Sequence, residues 1–128
     1  MVVSQQYAFM YRIGTGVERF SARPIYRIRA MNFFQFQESL ERTKPPAGLR
    51  PALVALWWAG KDNWERAHNI VMDEGGKESA WVHAYLHRVE GDLDNARYWY
   101  RRAQRPVSSK PFAAEWDAIA ENLLQAQS

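Results

Sequence analysis

Between Ala80 and Ala103 the chain has little choice of local structure: helix, tight turn, helix. At 100° per residue, Val82, Tyr85, Leu86 and Val89 fall on one broad apolar arc with Trp81 at its edge, while Ala80 and Ala84 form a small-residue seam opposite. A helix that is apolar on one side and smooth on the other can be covered from both, so this one is the expected centre of the domain. Gly91 can take the backbone conformation that stops it. Asp92 can then cap a partner helix in which Leu93, Ala96, Trp99, Tyr100 and Ala103 share one face.

The same grammar runs through the flanking segments. Asn32 to Thr43, with Phe33, Phe34, Phe36 and Leu40, reads as a first helix ended by Pro45-Pro46, because proline lacks the N–H a helix interior needs. Pro51 opens a short helix over 52–59 that is apolar nearly all round, hence buried, with Gly60 as its stop. Asp62 or Asn63 caps a third, where Trp64, Ala67, His68, Val71 and Met72 follow helical spacing as far as Gly75-Gly76. The central helix runs from about Glu78 to Glu90. Beyond a loop from Pro106 to Pro111, with Ser109 as a candidate cap, Phe112, Trp116, Ile119, Leu123 and Leu124 mark one side of a last helix. The expected fold is all-α, a compact array of about six short antiparallel helices, and no strand is needed after Met31.

Residues 1–30 obey different rules. They carry Arg12, Arg19, Arg23, Arg27 and Arg29 against Glu18, a balance of +4, whereas the remainder has 12 basic and 13 acidic residues, a balance of −1. The overall net charge of +3 therefore belongs to one end, which disfavours nucleic acid as a partner of the body. Gln6–Ile13 and Ile25–Ile28 could pair as a β-hairpin around Gly14-Thr15-Gly16. An ordered arm, a cleaved organellar transit segment and a start codon set too far upstream all fit the composition. The favoured division is a basic N-terminal extension over 1–30, outside the core, and a single helical domain over 31–128.

Composition narrows the chemistry further. A chain of 128 residues suits one domain with one core, and its 6 tryptophans call for a real core or a recognition surface. With no cysteine, disulfides, thiolate nucleophiles and cysteine-ligated zinc are excluded, and the cytoplasm is the expected compartment, with organellar import of a longer precursor as the alternative. No apolar run is long enough to span a membrane.

Gly91, Leu93, Ala96, Tyr100 and Ala103 resemble the turn and second helix of a tetratricopeptide repeat in type and spacing. A weaker copy lies upstream, where Asn63, Trp64, Ala67 and Val71 match Asp92, Leu93, Ala96 and Tyr100. The resemblance implies paired helical hairpins and a peptide-binding groove. It departs at His83 and His87, which stand where such repeats have large apolar or aromatic residues. The longer segment from His83 through Arg88, Glu90-Gly91-Asp92, Asn95-Ala96 and Tyr98-Trp99-Tyr100 also resembles an uncharacterised family of small helical proteins. That likeness implies no function.

Two constellations could carry chemistry. His83 and His87 are four apart and share a helix face, and His68 falls on the inner side of the preceding helix. These three, with Trp64 and Glu90, form a candidate ligand pocket in which the imidazoles could hold a divalent metal. The competing reading is three buried histidines bonded to carbonyls or to Glu90. No glutamate follows the first histidine as in zinc proteases. Separately, Arg97, Arg101 and Arg105 recur every four residues and form a candidate anion-binding stripe, against which stands simple complementation of the helix dipole. Gly14-Thr15-Gly16 lacks the lysine of a phosphate loop, no serine sits in a nucleophile elbow, and Trp57-Trp58 reads as core. The expected function is a non-enzymatic helical binding or scaffolding module for a protein or small-molecule ligand. The alternative is a metal-dependent or histidine-based enzyme at His68, His83 and His87.

Overall fold

The computed structural model describes residues 31–127. The basic extension over 1–30, with its expected hairpin, lies outside them. Helix α1 (Phe33–Glu38) runs into a 3-10 turn (Ser39–Glu41), followed by α2 (Pro51–Gly60), α3 (Trp64–Val71), α4 (Lys77–Glu90), α5 (Leu93–Ala103) and α6 (Phe112–Gln127). The fold is all-α. Among the described residues there is no strand, and no helix is long and apolar enough to cross a membrane.

Each boundary has a local cause. Asn32 and Gln35 form a reciprocal capping box at the start of α1: the Asn32 side chain accepts the Gln35 N–H at 2.8 Å and the Gln35 side chain accepts the Asn32 N–H at 3.0 Å. The helix is shorter than Asn32–Thr43, the span its sequence pattern indicates. Ser39 Oγ donates back to the Phe36 carbonyl at 2.6 Å, and Lys61 Nζ donates to the Leu40 and Arg42 carbonyls at 2.7 and 2.9 Å, so the chain tightens and leaves the helix there. Asn63, rather than Asp62, caps α3 by accepting the Arg66 N–H; Asp62 instead takes the turn itself at φ +62°. Asp92 caps α5 by accepting the Asn95 N–H.

Two glycines serve different needs. Gly91 ends α4 at φ +91°, where a Cβ would be strained although it would meet no atom. Helix α2 stops at Gly60, as its position implied, but the glycine has a second role. It is the last residue of α2, and a Cβ there would lie 3.0–3.2 Å from Trp116 and Leu40, so glycine permits the close approach of α6 and the 3-10 turn.

Helix α4 is the centre, as its two-sided character indicates. Every residue from Ser79 to His87 is buried, and α2, α3, α5 and α6 all pack on it. Sequence-adjacent helices pair as α2 with α3 and α4 with α5. The core continues through Phe36, Leu53, Leu56, Trp57, Tyr100, Trp116 and Ile119. Phe36 stacks on Trp116 with centroids 5.6 Å apart, and Trp116 Nε1 donates to the Leu56 carbonyl at 2.8 Å, locking α6 onto α1 and α2. Met72, Leu93 and Phe112 belong to apolar stripes in sequence but are about half exposed. They stand at helix ends, where the stripe projects past the neighbour that covers its middle. In the loop before α6, Ser108 rather than Ser109 makes the side-chain bond, accepting the Lys110 N–H.

Candidate histidine site

Three helices converge on one small region. Helix α3 supplies Trp64 and His68, one turn apart, and their rings stack with centroids at 4.6 Å and an interplanar angle of 11°. Helix α4 supplies His83 and His87, also one turn apart and stacked at 4.9 Å. The i, i+4 spacing makes both stacks, because residues four apart lie one above the other on a helix face. The two stacks meet edge to face, with His68 5.1 Å from His87 and 4.8 Å from His83 between centroids. Trp64 Nε1 donates to the Leu86 carbonyl at 2.8 Å and fixes α3 against α4 at this level.

The nitrogen atoms are specifically disposed. His83 Nε2 and His68 Nε2 are 3.1 Å apart, so one must donate and the other accept. His87 Nδ1 lies 2.8 Å from Glu90 Oε2. A carboxylate only accepts, so His87 Nδ1 is the donor of this bond, and in the neutral ring that places the lone pair on Nε2. One ligating nitrogen from each of the three rings falls within a set spanning no more than 4.8 Å. His83 and His87 are buried, while His68 and Glu90 lie at the solvent edge. His83 Nδ1 is buried with no hydrogen-bond partner among the described residues.

Burial, with the neighbouring His87 and His68 second, pushes His83 down to about 4 from the usual 6.5. His68 is lowered for the same leading reason, followed by repulsion from His87, with Glu90 pulling the other way. Both rings are therefore neutral at pH 7. A histidine whose folded value lies below its unfolded one stabilises the fold above the unfolded value and loses that contribution as pH falls towards the folded value. Stability is expected to decline between pH 6.5 and 4, by at most about 3 kcal/mol from His83. Urea midpoints across that window test this. A flat profile would show that the folded rings take up protons as readily as the unfolded ones.

The residues of the candidate pocket lie together, with neighbouring rings of Trp64, His68, His83 and His87 between 4.6 and 5.9 Å apart at their centroids. One wall was missed in sequence: Trp99 of α5 stacks on His83 at 4.0 Å and 14°. The signal was available, since His83 and Trp99 lie eight residues either side of Gly91 and a hairpin turning there sets them opposite each other. Trp64 and Glu90 are both in the cluster. Two surface clefts, of about 360 and 320 Å³, lie elsewhere, beside Tyr85 and Trp116 and beside Trp81 and Arg105.

The three arginines of the candidate stripe have different surroundings. Arg97 pairs with Asp94, Arg105 lies over Trp81 at 3.8 Å and bonds Asn122, and Arg101 is exposed. Compared with known proteins, the chain matches no family model, no curated protein and no solved structure.

Proposed function

We propose that the chain is a non-enzymatic helical binding module, built on tetratricopeptide-like hairpins, whose ligand site is the His68/His83/His87 cluster. The single supporting observation is the disposition of three imidazoles from two helices, with one nitrogen of each inside 4.8 Å of the others. A core shaped for stability alone gains nothing from gathering three imidazoles, because apolar side chains fill the same space without the cost of desolvating polar groups. The ligand, whether offered by a protein or as a small species, approaches from the edge formed by His68 and Glu90. With no cysteine in the sequence, a reducing compartment such as the cytoplasm suits the module.

A second reading, a metal-dependent or histidine-based enzyme, draws on the 2.8 Å His87–Glu90 pair, whose geometry matches that of an acid–base dyad.

Replacing all three rings by apolar side chains separates binding from a structural role. The variant His68→Leu/His83→Leu/His87→Leu removes every polar partner together, so nothing buried is left unpaired. Its urea midpoint is expected to equal or exceed that of the unaltered chain. A loss of more than ~1 kcal/mol would mean that the histidines are there to hold the fold.

A further inference from the structure

We propose that the cluster is a site for a divalent transition metal, of the zinc class, held by His68 Nε2, His83 Nε2 and His87 Nε2 with a fourth position open towards solvent. This names the ligand of the binding site proposed above and rests on that reading. Space decides first. The rings touch one another with centroids between 4.0 and 5.1 Å apart, counting Trp99, so no organic molecule fits among them, whereas a single ion does. Drug-sized ligands take clefts of about 300 Å³ or more, and the two clefts of that size described above are elsewhere.

Donor geometry comes next. Two nitrogens 3.1 Å apart, each about 2.0–2.1 Å from a metal, subtend about 100° at it, near the tetrahedral angle. One nitrogen of each ring lies within 4.8 Å of the other two, against about 3.3 Å between the nitrogens of a tetrahedral site, so the set needs to close by at most about 1.5 Å, within reach of a side-chain torsion. Metal binding would break the imidazole–imidazole hydrogen bond: the ring that donates through Nε2 would carry its proton on Nδ1 instead, and three metal–nitrogen bonds would form.

The surroundings fit as well. Glu90 accepts from His87 Nδ1, the carboxylate–histidine–metal arrangement that fixes a ligand's tautomer and raises its basicity. Trp64 and Trp99 clamp His68 and His83 by stacking, so two of the three ligands are held in orientation before any ion arrives. All-nitrogen donors with no thiolate select zinc, nickel, copper or cobalt over calcium and magnesium. The chain has no other histidine, so any imidazole-bound metal must use these three.

Cobalt(II) titrated into the metal-free full chain tests this, since the intensity of its visible absorption distinguishes tetrahedral nitrogen coordination from octahedral aqua coordination. One equivalent is expected to give an intense tetrahedral-type spectrum that one equivalent of zinc bleaches. His68→Ala, at the exposed edge and so least able to harm folding, should abolish it, and Glu90→Gln should weaken binding about 10–100-fold with an unchanged circular dichroism spectrum. The metal assignment is overturned if folded chain gives only the octahedral spectrum, or if His68→Ala binds as tightly as the unaltered chain. Failure of cobalt to bind, with the triple leucine variant still stable, removes the metal and keeps the binding site. Failure of cobalt together with a destabilised triple variant removes both.

Discussion

Glu115→Ala is expected to lower stability by about 3–5 kcal/mol, the scale for removing one partner from a buried ionic network. Glu115 is only 2% exposed. Its Oε1 accepts from Arg88 Nη1 at 2.7 Å and its Oε2 accepts from the Tyr100 hydroxyl, so one carboxylate from α6 binds α4 and α5 together. Arg88 also donates to the Lys110 carbonyl at 2.6 Å and lies over Phe112. Burial, followed by the bond to Glu115, pushes the Tyr100 hydroxyl above its ordinary range and keeps it protonated as a donor. Without Glu115, a largely buried guanidinium loses its counter-charge and keeps only the Lys110 carbonyl, and a buried hydroxyl loses its acceptor. The double variant Arg88→Met/Glu115→Leu should recover much of the loss, because it removes both ends of the charge pair. Denaturation of the four members of that cycle tests the account. A single-variant loss below ~1 kcal/mol would mean that α6 does not depend on this contact.

Trp57→Ala is expected to cost about 3–5 kcal/mol. Trp57 is fully buried, packs edge-on against Trp58 at 4.9 Å, and lies beneath the Lys61 ammonium. Its Nε1 donates to Ser39 Oγ at 3.0 Å, and Ser39 donates in turn to the Phe36 carbonyl. The indole thus holds the 3-10 turn and fills the space between it and α2. Trp57→Phe keeps most of the volume and loses the bond, so its cost should be nearer 1–2 kcal/mol. Equal losses for alanine and phenylalanine would show that the hydrogen bond, not the packing, holds this region.

The fold was legible where one helix dictated its own boundaries. Gly91 and Asp92 mark the α4–α5 turn directly, and the apolar arc plus alanine seam of α4 announced a helix covered on every side. What sequence hid depended on distant partners. Gly60 looks like a stop and nothing more until Trp116 and Leu40 are placed against it. Glu115 looks like a solvated acid in the first turn of α6, since nothing local reveals that Arg88 and Tyr100 meet it. The proximity of His68 to His83 followed from the place of His68 on the inner side of the helix that precedes α4. The stack of Trp99 on His83 needed the pairing of α4 with α5 in register, which periodicity within a single helix does not give.

Anomalous diffraction at the zinc edge, from crystals of the full chain grown with one equivalent of zinc, bears most directly on the three-histidine site. The expected result is a single strong peak about 2.0–2.1 Å from the Nε2 atoms of His68, His83 and His87, with Glu90 still on His87 Nδ1. A structure in which His68 and His83 keep their direct hydrogen bond, while zinc lies elsewhere or nowhere, would contradict it.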